Sequence, residues 1–363
     1  MKAVFAAAQL AHAPRQFLAL GNIVQYPETP ERVRRLLEGA RQAGADIHAA
    51  RRFDSDRLLA LHSGRYVYFL ENGFEAWKHL AGHGSDMMVS LRPMEKPNFQ
   101  SEHIMARAGR YLMDFSCALT EQSWKSIQAS AWTALTAADL VIKGDAVAYA
   151  LCRPPGHHAY AERASGFCYL NNAGLAAQAL RKVHERVAIL DIDVHHGNGT
   201  QALFYNRSDV LTVSIHADPA DFYPYYWGSA AEHGEGPGIG FNLNIPVPVR
   251  SGDDAWMAAL EKALARIVAY KPGALVIALG LDAHEADPLK GGAVTQGGFA
   301  NLAAAIAALG LPAVIVQEGG YLTDHLGDNL AMFLSAYEGA QETTASEAVD
   351  LVDVADASEP QPG

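Results

Sequence analysis

The segment VAILDIDVHHGNGTQ, residues 187–201, contains side chains whose types and spacing suit metal binding. Asp191, Asp193 and His195 follow an apolar, β-branched run at alternate positions, and alternate residues of a strand share a face. Two carboxylates and one imidazole should therefore converge at the carboxyl end of a buried strand, where open α/β sheets bind ligands. The pattern predicts a metal site, with a pair of surface carboxylates at a strand end as the alternative.

Asp282 closes a second strand-like run, ALVIALGLD, that is otherwise almost wholly apolar. Its carboxylate is expected to be the third metal ligand, although a helix cap is a competing explanation. Three protein ligands with one open position characterise a catalytic zinc, where bound water becomes a nucleophile near neutral pH. Because this ligand set also accepts Fe²⁺ or Co²⁺, the sequence does not decide which metal is bound.

Two further strand-like runs end in groups that can transfer or share a proton. His157 and His158 follow a strand and two prolines, and such a pair can act as general base and proton donor, with Asp191 holding one of them. A structural histidine pair in a turn is the alternative. Tyr321 follows the last strand and can donate a hydrogen bond to a developing oxyanion. Together these residues predict metal-assisted hydrolysis of a carbonyl compound, most simply an amide.

Two aromatic residues in loops are candidates for the walls of a narrow apolar channel. They are Phe167 in GFCYLNN and Tyr223 in ADFYPYYWG. Ordinary loop packing explains them equally well from the sequence alone.

Composition and charge limit the classes of protein and of partner. The chain has 363 residues, of which 19% are charged, as in soluble proteins with a large core. A net charge of −12 disfavours nucleic acid and anionic membranes and suits a cationic partner. No apolar run reaches the roughly 18 residues of a membrane span. Three cysteines without a CxxC spacing favour the reducing cytoplasm and a packing role.

The elements that must position these residues alternate between strand and helix. Strands are predicted at 2–7, 147–151, 187–193, 210–216, 274–282 and 313–318, and helices at 27–44, 56–62, 65–80, 121–143, 172–185, 253–270 and 299–309. The first strand competes with a short signal peptide, which the single basic residue and short apolar core disfavour. This order predicts one α/β domain with a doubly wound, mostly parallel sheet and helices on both faces.

Two segments fall outside this alternation. Residues 83–118 form a long irregular excursion, and excursions of this length are usually functional. Residues 341–363 contain acidic residues without a lysine or arginine, and a disordered tail is predicted there. The catalytic domain is accordingly assigned to residues 1–340.

The motifs RPPGHHA, GFCYLNN, ILDIDVHHGNGTQ, the GLD…DP stretch and EGGY resemble, in order and spacing, the zinc-dependent histone deacetylase superfamily. The resemblance covers most of residues 1–340 and implies an arginase/deacetylase-like fold. It implies zinc on Asp193, His195 and Asp282, with His157, His158 and Tyr321 as catalytic residues. Gly166, Phe167 and Tyr223 would line a substrate tunnel. A structural potassium ion would use Asp191, Ser214 and main-chain carbonyls of Asp193, His195 and Ile215.

Within the superfamily, the SEHIMARAGRYLMD segment and the helix after it are most similar to bacterial acetylpolyamine amidohydrolases. In that group the excursion forms a dimer contact that narrows the entrance, and acidic residues there favour cationic amines. Glu102 and Asp114 are the matching candidates. The resemblance therefore implies a homodimer, or a higher homo-oligomer, acting on a small cationic acetylated amine.

Other functions remain open at this point. A protein lysine deacetylase and an amidase for another small amide would use the same residues. Arginase-like ureohydrolases share the fold, but their second metal needs carboxylates where this chain has Gly197 and His284. A metal-bearing binder of acetylated ligands without turnover is disfavoured because every catalytic position is filled.

Overall fold

A computed structural model describes residues 1–91 and 101–356, and over these residues strands and helices alternate along most of the chain. The strands are Lys2–Phe5 (β1), Gln16–Ala19 (β2), Asn22–Gln25 (β3), Asp46–Ala49 (β4), Val147–Ala150 (β5), Val187–Asp191 (β6), Val210–Ala217 (β7), Asn242–Val247 (β8), Ala274–Leu279 (β9) and Ala313–Gln317 (β10). The helices are Pro30–Gln42 (α1), Asp56–Leu59 (α2), Gly64–Lys78 (α3), Ile104–Tyr111 (α4), Ser123–Ile142 (α5), Asn172–Leu180 (α6), Asn198–Phe204 (α7), Asp253–Tyr270 (α8), Gln296–Ala307 (α9) and Leu326–Asp356 (α10).

Eight of these strands form one parallel sheet in the order β4-β1-β5-β10-β9-β6-β7-β8. The interior strands β5, β10, β9 and β6 are buried along their whole length. Since parallel strands all end at the same edge, the segments that follow them meet there. The four strand ends that the sequence marks as polar are therefore neighbours in the sheet.

Helices cover both faces of the sheet, as predicted. Along β6, Val187 and Ile189 belong to one apolar core, whereas Ala188 and Leu190 belong to the other. Strand β9 divides its residues between the two cores in the same alternating way. A strand buried on both faces reads as a continuous apolar run, which explains why the sequence identified these strands.

The structure corrects the sequence prediction at the sheet edges. Strands β4 and β8 occupy the two edges and were not predicted. Strand β4 has only four residues, and β8 contains Pro246, which an edge strand tolerates but a central one does not. The antiparallel hairpin β2–β3 lies between the first predicted strand and the first predicted helix, where no strand was predicted, and α4 lies within the excursion. Residues 92–100, in the middle of that excursion, lie outside the described residues.

Helix α10 extends to Asp356, beyond the boundary at residue 340. Its backbone is helical over residues 341–356, where the sequence analysis predicts disorder. No glycine or proline interrupts these residues, so the sequence contains no signal that would end the helix. The assignment of the catalytic domain to residues 1–340 remains a prediction.

The packing role predicted for the cysteines is confirmed, because Cys117, Cys152 and Cys168 are all buried. In the described part of the chain, no helix combines the length and apolarity needed to cross a membrane.

Candidate active site

The three predicted metal ligands converge at the carboxyl edge of the sheet. Asp193, His195 and Asp282 are buried, and their ligand atoms lie within 4.8 Å of one another. His195 Nδ1 lies 3.0 Å from Asp193 Oδ1 and 3.2 Å from Asp282 Oδ2. Asp193 and His195 follow β6, and Asp282 follows the adjacent β9, so strand pairing determines their spacing.

The surrounding backbone orients the two carboxylates. Gly319 N donates to Asp193 Oδ2 at 2.7 Å, and Val194 N donates to Asp282 Oδ1 at 3.1 Å. A Cβ at Gly319 would collide with oxygens of both carboxylates, so the close approach of this backbone requires glycine. These contacts leave the opposite oxygens facing one another around His195.

The ligand set fits a divalent cation. Asp282 Oδ2, 3.2 Å from His195 Nδ1, accepts no hydrogen bond of normal geometry from the described residues. A buried carboxylate oxygen without a donor is costly unless a cation compensates it. Burial and the charge of Asp193 raise the pKa of Asp282. A bound cation would reverse this shift, because it favours the ionised ligand.

The two adjacent histidines have different hydrogen-bond partners. His157 Nδ1 lies 3.0 Å from Asp191 Oδ2, as the sequence analysis anticipated, and its Nε2 lies 3.8 Å from Asp193 Oδ1. Burial opposes a charged His157, but Asp193 and Asp191 outweigh it and raise the pKa to about 10. The two carboxylates thus favour the protonated form of His157.

His158 is instead held by an amide. Its Nδ1 lies 2.6 Å from Asn198 Oδ1, and Asn198 Nδ2 donates to Tyr160 Oη at 3.0 Å. Since Asn198 Oδ1 only accepts, His158 must carry its proton on Nδ1 and leave Nε2 free to accept one. Burial, with the charges of His157 and His195, lowers the pKa of His158 well below its usual value.

Tyr321 is buried beside the metal ligands and is positioned from two sides. Its backbone N donates to Asp287 Oδ2 at 2.9 Å. The Arg32 guanidinium lies 4.9 Å from the centre of the Tyr321 ring and donates to the carbonyl oxygens of Glu318 and Gly320. Burial raises the pKa of the Tyr321 phenol well above its usual value, so the hydroxyl stays protonated and can donate.

A cavity of about 480 Å³ opens above these groups. His157, His158, His195 and Tyr321 line it together with the predicted tunnel residues Gly166, Phe167 and Tyr223. The ring of Phe167 packs 5.9 Å from that of Tyr321, and the ring of Tyr223 lies 5.1 Å from that of His158. We call Asp193, His195, Asp282, His157, His158 and Tyr321 the catalytic floor.

The two acidic candidates for substrate contacts lie in different places. Asp114 lines the cavity, where its Oδ2 accepts from Tyr223 Oη at 2.7 Å and from Gly166 N at 3.1 Å. Its Oδ1 accepts from the backbone N and the hydroxyl of Ser116. Glu102 lines a separate depression between α3 and α4. Within one chain, the structure does not bring Glu102 to the cavity.

The residues implied in potassium binding are brought together at the ends of β6 and β7. Asp191 pairs with Ser214 across the two strands, and Ile215 follows Ser214. A cavity of about 10 Å³ between them is lined by both side chains. This volume corresponds to about one water-sized particle. The potassium ion remains a prediction.

A second group of possible ligands, His157, Cys168 and Glu318, does not suit a metal as well. Glu318 Oε2 already accepts from the backbone N of Gly156 at 2.6 Å and of His157 at 3.0 Å. Burial raises the pKa of the Cys168 thiol well above its usual value and that of Glu318 to about 8. Glu318 instead holds the loop that carries the histidine pair.

Several positioning residues were missed by the sequence analysis. Asn198 could have been suspected because a polar residue follows the HHG turn, and Glu318 because it ends a strand as the metal ligands do. Arg32 gives no such signal, since it appears in the sequence as one of several charged residues of an amphipathic helix. Only the fold brings its guanidinium to Tyr321.

Comparisons with known proteins by sequence and by structure agree on one protein family. Residues 26–337 match the model of the histone deacetylase domain. The chain is 43% identical over 329 residues to an acetylpolyamine amidohydrolase of Burkholderia pseudomallei, covering 91% of this chain and 96% of that protein. It is 39% identical to acetylpolyamine amidohydrolase 1 of Pseudomonas aeruginosa, covering 94% and 99%. The crystal structure of an acetylpolyamine aminohydrolase from Burkholderia pseudomallei superposes with a TM-score of 0.91 at 42% identity, covering 94% of this chain and 99% of that one.

Proposed function

The chain belongs to the histone deacetylase family, and from this premise we propose that it removes the acetyl group from small N-acetylated amines, acetylpolyamines among them. The names of the relatives at 36–43% identity support the substrate class. One observation carries the proposal most directly: three metal-ligand side chains converge, and one of them, His195, lines the same cavity as the histidine pair and Tyr321.

Asp193, His195 and Asp282 would hold the metal, which we propose to be zinc. A divalent cation held by three protein ligands polarises a carbonyl oxygen and lowers the pKa of a bound water. The donor-free Asp282 Oδ2 and the convergence of the three ligands support this assignment. The same site would accept Fe²⁺ or Co²⁺.

The two histidines would have different roles in the reaction. Nε2 of His158 is free to accept a proton from the attacking water, because Asn198 keeps the ring proton on Nδ1. His157, paired with Asp191, keeps a positive charge beside the reacting groups. After the water oxygen bonds to the acetyl carbon, the proton passes to the amide nitrogen and the carbon–nitrogen bond breaks. The products are acetate and the free amine.

Tyr321 would stabilise the oxyanion that develops on the acetyl oxygen. Its protonated hydroxyl donates a hydrogen bond, and the Arg32 guanidinium over its ring strengthens that donor electrostatically. Arg32 touches no reacting atom, so it acts as a positioning residue. Phe167 and Tyr223 would orient the substrate between the cavity walls.

The remaining partners are also part of the proposal. A homodimer formed through the excursion would place Glu102 near a neighbouring entrance, and size-exclusion chromatography of the whole protein tests it. A potassium ion between Asp191 and Ser214 would stiffen the ends of β6 and β7. Neither changes the roles assigned to the catalytic floor.

Hydrolysis of N-acetylputrescine and of an acetyl-lysine peptide by the zinc-loaded protein tests the substrate class. We expect acetate release from the small amide to exceed that from the peptide. Preference for the peptide would favour a protein lysine deacetylase instead. Failure on both, with metal still bound, would point to another small amide.

A further inference from the structure

A buried hydrogen-bonded pair lies behind the metal ligands, on residues to which the proposed chemistry assigns no role. Tyr149 lies on β5, and Gln317 is the last residue of the neighbouring β10. Both side chains are fully buried, and the Tyr149 hydroxyl donates to Gln317 Oε1 at 2.8 Å. Because a buried polar group without partners is costly, the amide nitrogen of Gln317 also needs acceptors.

The acceptors of Gln317 determine the orientation of its amide. Nε2 donates to Gly319 O at 2.8 Å and to Leu279 O at 3.2 Å. A carbonyl oxygen only accepts hydrogen bonds, so the NH2 group must face these two atoms and Oε1 must face Tyr149. Both amide hydrogens of Gln317 are thereby used on the backbone.

One of these acceptors belongs to a turn that contacts a metal ligand. Gly319 and Gly320 connect the end of β10 to Tyr321, and Gly319 N donates to Asp193 Oδ2 at 2.7 Å. Two successive glycines have no side chains that could fix the turn by packing, and they rotate easily about φ and ψ. Hydrogen bonds to the backbone must therefore hold this turn.

The two peptide units that share the Gly319 Cα are held by different side chains. Arg32 Nη2 donates to Glu318 O at 2.7 Å and holds the first unit, which contains the Gly319 N–H. The second unit contains Gly319 O, which accepts from Gln317 Nε2 and, at 3.1 Å, from Leu281 N. The direction of the N–H toward Asp193 depends on both units, so Arg32 and Gln317 act on the same bond.

Gln317 also links this turn to the strand that leads to the other carboxylate ligand. Its second acceptor, Leu279 O, ends β9 and also accepts from Glu318 N at 2.8 Å. Asp282 follows three residues later. The side chain of Gln317 therefore bridges the segment that contacts Asp193 and the segment that carries Asp282.

We propose that Gln317, held by Tyr149, is a positioning residue of the metal site, whose Nε2 fixes the turn at Gly319 against the end of β9 and so keeps the carboxylates of Asp193 and Asp282 at the spacing that a divalent cation needs. Neither Gln317 nor Tyr149 lines the cavity. The inference rests on the proposed metal site and assigns part of its affinity to these two side chains.

Gln317→Met tests the proposal, because it keeps the length of the side chain and removes both donors. The variant should bind zinc about 10-fold more weakly in competition with a chelator, as loss of a residue that supports metal ligands typically does. Gln9→Met is the matched control. Gln9 is equally buried, but its Nε2 donates to Thr133 Oγ1 at 2.8 Å, so the control should bind zinc as the wild type does.

Tyr149→Phe removes one hydroxyl and leaves Gln317 in place. It should weaken zinc binding about two- to fivefold, since the amide keeps its donors but loses the bond that orients it. Tyr66→Phe is the control, because the buried hydroxyl of Tyr66 donates at 2.6 Å to Tyr169 O, which holds no metal ligand. If Gln317→Met does not fold, Tyr149→Phe against this control decides the proposal.

A role of Gln317 in the stability of the fold alone makes a different prediction. Urea unfolding of metal-free and of zinc-loaded protein separates the two roles, because the gap between the two midpoints reports how tightly the native state binds zinc. In Gln317→Met this gap should shrink. Equal shifts of both midpoints, with zinc affinity unchanged, would overturn the proposal.

The wild-type protein distinguishes a failure of this proposal from a failure of the proposed function. If it binds zinc and hydrolyses N-acetylputrescine, and both variants bind zinc as tightly, the positioning role fails and the function stands. If it hydrolyses no N-acetylated amine but the zinc affinities differ as expected, the function fails and the positioning role stands. If it does not bind zinc, the metal site and the positioning role are both wrong.

Discussion

The catalytic floor and the hairpin β2–β3 both border one cavity and differ in almost every physical property. The floor is buried and polar, and backbone or side-chain hydrogen bonds hold its members. The hairpin is apolar where it lines the cavity, and its Leu18 and Leu20 are exposed. The difference assigns the chemistry to the floor and leaves the hairpin as part of the cavity wall.

The largest expected effect comes from removing a metal ligand. Asp282→Ala should abolish metal retention and reduce kcat to background, because two ligands remain where a catalytic divalent ion needs three. Metal content of the purified protein and acetate release measure the two effects. Asp254→Ala, an exposed aspartate of α8, is the control and should keep both. Normal turnover by the Asp282 variant without bound metal would show that the floor does not act through a metal.

Removal of the tyrosine hydroxyl should leave the metal in place. Tyr321→Phe is expected to lower kcat about 10²- to 10³-fold, the usual cost of losing one oxyanion donor, with little change in metal content. Tyr226→Phe removes a hydroxyl from a side chain that is 82% exposed and should have no effect. Full activity in the Tyr321 variant would remove this residue from the mechanism.

A methyl group at Gly319 tests how closely the backbone must approach the metal ligands. Gly319→Ala should push against Asp193 and Asp282 and weaken metal affinity about 10- to 100-fold, as changes around metal ligands typically do. Competition with a chelator measures the affinity. Gly82→Ala is not an adequate control because its φ is positive, whereas Gly64→Ala at the start of α3 is unhindered. Unchanged affinity in Gly319→Ala would mean that the carboxylates can move apart freely.

The partner of His158 should set the acidic limit of activity. The amide of Asn198 faces the His158 ring, and the pKa of His158 lies well below its usual value. Asn198→Asp would place a negative charge there and raise that pKa. Since the base works only when deprotonated, the acidic limb of kcat/KM should move to higher pH. A pH profile with full metal loading checks this, and an unmoved limb would show that His158 is not the base.

The smallest expected effect concerns Asp114, which lines the cavity beside Tyr223. Asp114→Asn disturbs the bonds to Tyr223 and Gly166, so N-acetylputrescine and the uncharged N-butylacetamide should lose activity by a similar factor, within about threefold of each other. A loss confined to the ammonium compound would instead make Asp114 a receptor for cationic substrates, as its resemblance to the acetylpolyamine enzymes implies.

The residues of the catalytic floor could be predicted from the sequence because each of them follows an apolar strand. A polar side chain at such a buried position needs a binding or catalytic role to explain it. The parallel topology then brings Asp193, Asp282 and Tyr321 to one edge, and no further information is required. Asn198 and Arg32 were missed because their roles depend on side-chain contacts between distant segments. Local patterns alone do not determine such contacts.

The hairpin β2–β3 shows the opposite case. The sequence analysis predicts no strand there, because its strands have four residues each and its turn contains Leu20 where asparagine or glycine is expected. The edge strands β4 and β8 were missed for the related reason that partly exposed strands lack a clear apolar run.

Hydrolysis of N-acetylputrescine by the metal-stripped protein, and by the same sample reloaded with zinc, tests the central claim most directly. The floor described here predicts no acetate release above background without metal, and restored release after zinc is added. Asp193→Ala, treated in the same way, should not recover. Equal rates from the stripped and the reloaded protein would contradict the assignment of Asp193, His195 and Asp282 as ligands of a catalytic metal.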